Sequence, residues 1–260
     1  MTEAERLRDF YRRRAGSAMS RLYSPLNAAG LFTFQERERA LLGALAMITD
    51  TPDRLAQLRV LDVGCGTGGL LQDFVRYGAT PALLCGIDLL ESRVIEARTR
   101  YPHLDTRCAN AEELPFADGS FDLVLCFTLF DTILDTGVRG RVSREILRVL
   151  KACGRVLLYD FRWNNPANPD VRKVTRQEIE QLFDGCECRL RRVTLAPPIA
   201  RRVAAYSPML AGLLAKIPFL CSHYIGIIRR PERERRGTSA TDVMSSSAHL
   251  NRAARTTAKS

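Results

Sequence analysis

The ten residues from Val60 to Gly69, VLDVGCGTGG, constrain the fold of this chain more than any other stretch. An apolar run leads into glycines at 64, 66, 68 and 69, and an amphipathic stretch over 69–76 follows at once. Glycine lacks a Cβ and reaches positive φ at no steric cost, so such a turn lets backbone lie against a ligand at the N-terminus of the next helix. A strand, a glycine turn and a helix in that order open a βαβ unit, which calls for a parallel sheet.

The rhythm continues beyond this unit. Short apolar runs predict strands over 59–63, 82–88, 105–109, 121–127 and 155–161, separated by amphipathic stretches that predict helices over 69–76, 92–100, 138–151 and 176–183. The last of these begins at a capping box, Thr175 with Glu178, and stops at Asp184-Gly185; the helix before it is expected to end at Cys153-Gly154. Further strands are expected over 187–195 and 221–228. The residues between them carry Pro197, Pro198, Pro208 and Pro218 around apolar helical pieces, so the reading is an antiparallel pair with a helical cap inserted over 196–219. Upstream, Thr33 and Glu36 have capping-box spacing, and Ala40, Leu41, Ala44, Leu45 and Ile48 share one face, which predicts a helix over 34–48. The expected organisation is a helical extension over 1–50, a domain over 51–228, and a disordered basic tail over 229–260, which opens RRPERERR and holds no aromatic residue.

Composition narrows the class. Apolar residues at 46% are enough for a sizeable core, and the formal charge of +10 raises attraction to nucleic acid or to an anionic membrane surface without choosing between them. Residues 1–14 are charged where a secretory signal needs an apolar core, and no run is long enough to span a bilayer, so a cytoplasmic protein is expected. Eight cysteines are scattered, several of them inside apolar runs, as expected of reduced core thiols. Cys186 and Cys188 form a C-x-C pair with no second pair at ligand spacing, so no metal site is expected.

The glycine turn leaves two ligand classes open. Gly64, Gly66 and Gly69 satisfy the dinucleotide G-x-G-x-x-G spacing, and Asp88 follows at a strand end where a ribose-binding acid belongs. Against a dinucleotide, Asp62 points an acceptor at the loop, which suits a cationic amino group and repels a pyrophosphate. The segment CANAEELPFADGSFD, Cys108 to Asp122, adds Asn110 and Ala111 just past the third strand, where a side-chain acceptor and a backbone N–H can read the edge of adenine.

With D-x-G-C-G-x-G and A-E-x-L-P-F-x-D-x-S-F-D together, residues 59–160 resemble the class I S-adenosylmethionine-dependent methyltransferases. The resemblance implies an α/β, Rossmann-like, doubly wound and mostly parallel seven-stranded sheet, carrying here the helical N-terminal extension and the cap before its last strand. It implies that Asp62 accepts from the methionyl amino group and that backbone at Gly64, Cys65 and Gly66 contacts the amino-acid end. Asp88 would bind both ribose hydroxyls, Leu89 would pack on adenine, Asn110 and Ala111 would hold its polar edge, and Phe127 would close the pocket beside the methyl. Many relatives have Asp where this chain has Asn110; the amide oxygen still accepts from the adenine amino group.

Methyl transfer from a sulfonium needs positioning first and a base only for some acceptors. Candidate bases are Asp131, ranked first, then Asp160 and His223, with Asp135 also in the segment after the fourth strand. The expected acceptor is a small molecule, partly apolar or linked to a lipid or saccharide. The cap combines apolar residues with Arg201, Arg202 and Lys216, and reads as a lid, a peripheral membrane contact or extra core. The rivals are an RNA methyltransferase and a nicotinamide-dependent oxidoreductase. The position of the Asn/Asp-Pro-Pro-aromatic motif of base-amine methylation reads CFTLF here, though ribose or ring-carbon methylation of RNA stays open. No obligate protein partner is evident.

Overall fold

Seven strands form one sheet in the order β3-β2-β1-β4-β5-β7-β6 in the computed structural model, which describes residues 2–14, 24, 26–49, 51–164 and 168–231. The strands are β1 (Val60–Val63), β2 (Leu84–Asp88), β3 (Asp105–Cys108), β4 (Phe121–Phe127), β5 (Leu150–Phe161), β6 (Glu187–Leu195) and β7 (Cys221–Arg229). The first five run parallel to one another, while β7 lies antiparallel between β5 and β6. The chain leaves β1 toward β2 and β3, then returns to place β4 on the other side of β1. That reversal makes a topological switch point, and the crevice outside the carboxyl ends of β1 and β4 is where open α/β sheets bind ligands.

Both faces of the sheet are covered, which is why its central strands read as near-continuous apolar runs. On one face Leu61, Val63, Ile87, Val124 and Leu158 pack beneath α6 (Thr136–Val149) and α7 (Arg176–Leu182). On the other, Val60, Leu84, Leu123 and Leu157 pack against α2 (Ala28–Leu45) and α4 (Gly69–Arg76). Full burial of each such side chain stabilises by about 1.5–3 kcal/mol. Gly86 in β2 is set by this packing: a Cβ there would come within 2.7 Å of Cys65 Sγ and 2.9 Å of Leu71 Cδ1. The remaining helices are α1 (Glu3–Arg14), α3 (Pro52–Leu55), α5 (Glu91–Arg100), α8 (Pro197–Val203) and α9 (Pro208–Leu214). The last two stand between β6 and β7, and Ala200, Ala204 and Ala211 join Leu195 and Phe32 in a small core of their own.

Several element boundaries depart from the sequence expectation. Helix α2 begins at Ala28, because Asn27 caps it by accepting from the Gly30 N–H at 2.7 Å; Thr33, the expected cap, lies inside and bonds back to the Ala29 carbonyl at 2.8 Å. Helix α6 stops at Val149 and strand β5 starts at once at Leu150, which pairs with Phe121 across a register shift. Residues 150–154, expected to close the helix, are therefore strand. Strand β7 takes in Arg229, the first residue assigned to the basic tail, and 232–260 lie outside the described residues.

Candidate functional site

The glycine turn takes the form its composition requires. Gly64, Gly66 and Gly68 have φ of 81°, 55° and 80°, in the left-handed region where side chains are strained. The Gly64 and Cys65 N–H groups both donate to the Ile87 carbonyl at 2.8 Å, and the Gly66 N–H donates to Asp88 Oδ2 at 2.9 Å. Asp88 Oδ1 accepts from the Leu90 N–H at 2.9 Å. One carboxylate thus pins the loop after β1 to the loop after β2, and each oxygen keeps a lone pair for a further donor.

A pocket opens over these strand ends. Of the residues expected to hold a cofactor, Gly64, Gly66, Asp88, Leu89, Asn110, Ala111 and Phe127 share its wall. Asn110 is exposed, and its side chain closes a local turn by accepting from the Glu112 N–H at 3.1 Å. Asp62 and Cys65 stand behind the wall. Asp62 is 2% exposed, and its carboxyl makes no hydrogen bond or ion pair with a described residue; burial, then the neighbouring charge of Asp88, pushes that carboxyl up to about 8. A buried acid of this kind is set to receive a cationic donor.

The turn at the end of β4 is strained. Thr128 has φ of 50°, costly for a β-branched residue, while its N–H donates to the Tyr159 carbonyl at 2.7 Å. The bend brings Thr128, Leu129 and Thr132 onto the wall beside Phe127.

Sequence reasoning missed the roof. Helix α1 supplies Glu3, Ala4, Leu7 and Tyr11 to the pocket. Glu3 pairs with Arg6 at 2.7 Å and accepts from the Leu134 N–H at 2.7 Å, and Arg6 donates to the Thr132 carbonyl. Over the pocket, the Arg93 guanidinium lies 4.3 Å from the Tyr11 ring centroid and 3.6 Å from Asp88 Oδ2. The available signal was a capping box: the Thr2 and Glu5 side chains each accept the other's backbone N–H, at 3.2 and 2.7 Å.

The three expected bases lie away from this wall, and all are buried. The Asp131 N–H donates to Asp160 Oδ1 at 3.2 Å, and burial together with the Asp131 charge holds the Asp160 carboxyl well above its ordinary range. His223 is pushed down to about 3 by burial, with Arg37 adding to the shift, and its Nδ1 lies 2.9 Å from Ser222 Oγ. Asp135 is the N-cap of α6, accepting from the Val138 N–H at 2.8 Å. Among the described residues no group of three His, Cys, Asp or Glu is placed to hold a metal ion.

A glycine turn at the switch point, Asp88 at the end of β2 and the buried Asp62 two residues before the first glycine meet around one pocket at the carboxyl ends of the strands. Residues 61–158 match the family model described as a methyltransferase domain, so this part of the chain is a methyltransferase domain of the class I, S-adenosylmethionine-dependent kind. The chain is 27% identical over 148 residues to a sterol 4-C-methyltransferase of Caenorhabditis elegans, an alignment covering 55% of this chain and 42% of that protein. It is 31% identical over 180 residues to the 27-O-demethylrifamycin SV methyltransferase of Amycolatopsis mediterranei, covering 61% and 64%. It therefore spans less than two thirds of either relative. In fold it is similar to the PH0226 protein of Pyrococcus horikoshii, with a TM-score of 0.55 at 16% identity over 76% of this chain and 91% of that one.

Proposed function

We propose that this protein transfers the methyl group of S-adenosylmethionine to a small-molecule acceptor with a large apolar portion. When bound, the sulfonium supplies a methyl carbon with a good leaving group: the carbon–sulfur bond breaks, the sulfur keeps the electron pair, and the acceptor atom forms the new bond. The work left to the chain is to hold the two partners in line and keep water out.

In this reading Asp62 accepts from the amino group, backbone at Gly64, Cys65 and Gly66 lies along the amino-acid end, and Asp88 receives both ribose hydroxyls. Leu89 packs on adenine, with Asn110 and Ala111 at its polar edge and Phe127 beside the methyl. The observation that carries the acceptor class begins at Phe127. Its ring stacks on Tyr159 at 5.4 Å, Tyr159 stacks on His223 at 4.5 Å, and His223 lies 3.9 Å from Phe161, so a run of rings crosses the ends of β4, β5 and β7. With His223 kept neutral by burial, that run carries no charge. Of these rings Phe127 reaches the pocket, where Leu7, Leu129 and Ile133 join it, and that apolar wall favours an apolar acceptor over a phosphate-rich one. The names of the two relatives, a sterol and a rifamycin methyltransferase, support the same class.

Transfer then rests on positioning. Asp160, its carboxyl held well above its ordinary range by burial and the Asp131 charge, has no face on the pocket from which to take an acceptor's proton, and Asp131 is tied into the same buried network. His223 stays neutral, buried against Tyr159 behind the pocket wall. The test is methyl transfer from radiolabelled S-adenosylmethionine into a cell extract, followed by partition into organic, aqueous, RNA and protein fractions. Label in the organic fraction is expected; label confined to RNA overturns the acceptor class, and no label above background overturns the activity.

A further inference from the structure

We propose that the cap between β6 and β7 is a membrane-docking surface for anionic lipid. Three observations carry this, and none depends on the identity of the acceptor.

The cap leaves its large side chains outside the core. Only Ala211 of α9 is buried; Tyr206 is 91%, Met209 78% and Phe219 63% exposed, with Leu210 and Leu213 also exposed. Singly exposed apolar residues are ordinary, but five within fourteen residues form a patch of the kind that marks an interaction site. The electrostatics are one-sided. From Cys188 to Arg230 the sequence contains no Asp or Glu, and the cap itself carries Arg201, Arg202 and Lys216; Arg189, Arg229 and Arg230 lie at the far end of β6 and β7, where Arg229 pairs with Glu187 at 2.8 Å. Apolar side chains beside Arg201, Arg202 and Lys216 match a surface that is negative at the headgroups and apolar beneath them.

The third observation is the tryptophan. Trp163 is the only one in the chain and is partly exposed. Arg162 fixes it beside the end of the cap, donating from its backbone to the Ser222 carbonyl at 2.9 Å and from Nη1 to the Cys221 carbonyl at 2.7 Å, with its guanidinium over the Trp163 ring at 4.9 Å. Indole rings favour the membrane–water interface. This is also the end of the sheet at which the carboxyl ends of β1, β2 and β4 form the pocket, so a docked molecule would present its site toward the bilayer.

The test uses the full chain, its single-tryptophan fluorescence, and vesicles of phosphatidylcholine alone or with about one third phosphatidylglycerol. Sedimentation with the anionic vesicles only is expected, with a blue shift of the Trp163 emission. Met209→Glu with Leu213→Glu should weaken vesicle binding about tenfold or more, because both side chains lose their apolar burial. The same variant should bind S-adenosylhomocysteine in calorimetry as the parent does, which certifies the fold and keeps docking separate from the cofactor site. Three results overturn the proposal: no vesicle binding; binding that the double variant leaves intact with no shift in emission, which assigns the attraction to the basic terminus; or a dimer that the variant dissociates without any vesicle binding, which makes a second copy the occupant.

Discussion

Two pairs of buried carboxylates lie at the same end of the sheet, and they are treated in opposite ways. Asp62 and Asp88 end up around the glycine turn, where Asp88 holds two backbone N–H groups and the Asp62 carboxyl has no partner among the described residues. Asp131 and Asp160 end up in a closed network: Asp160 accepts from the Asp131 N–H, and the nearby, fully buried Arg139 donates to the Ile133 carbonyl at 2.6 Å and pairs with Glu178 at 2.6 Å. Burial alone does not mark a functional acid. What separates the pairs is their surroundings: Asp88 lines the pocket with Asp62 behind its wall, while Asp131 and Asp160 are closed into the interior.

The largest effect expected of this contrast is on stability. Arg139→Met leaves the Ile133 and Arg172 carbonyls without their donor and removes one partner of Glu178, which keeps Arg172 at 2.5 Å. Breaking a buried pair in this way costs about 3 kcal/mol, read as a fall in the denaturation midpoint. Affinity of the folded variant for S-adenosylhomocysteine should be unchanged, and a loss of affinity would break the distinction between the pairs. The next effect is its mirror image. Asp88→Ala removes the acceptor for two loop N–H groups and for the ribose, and should weaken S-adenosylhomocysteine binding by roughly a hundredfold, since hydrogen bonds to a charged group contribute about 1.5–3 kcal/mol each.

This division was half legible in the sequence. The glycine turn, Asp62, Asp88 and Asn110 could be read because each is fixed by its own neighbours: positive φ needs glycine, and strand ends follow apolar runs. Asp131 and Asp160 were also readable as strand-end residues, but their burial was not, because it depends on Arg139 and on α7, which meet them only in the folded chain. The roof over the pocket fails for the same reason. Arg6 reaches Thr132 and Glu3 reaches Leu134 across more than a hundred residues, and nothing local in α1 announces that contact. At Leu150 the cause is different: helix and strand abut without a breaker, so periodicity placed the junction several residues late.

The smallest effect is the one that sharpens the comparison most, because it turns on a proton. In the folded protein without ligand the Asp62 carboxyl titrates at about 8, against about 3.9 in an unfolded chain. Between those values the folded state holds a proton that the unfolded state has released, so this residue makes stability fall as pH rises from about 4 to about 8. A cationic amino group next to Asp62 favours the carboxylate, so cofactor binding should expel that proton. Affinity for S-adenosylhomocysteine should then rise with pH up to about 8 and level off. Asp62→Asn should bind about tenfold more weakly at pH 8 and lose the pH dependence of both affinity and ligand-free stability. Calorimetry in buffers of different ionisation enthalpy counts the proton directly. A proton count of zero at pH 7 with affinity otherwise intact would make Asp62 a packing acid like Asp160, and the two pairs would differ only in Asp88.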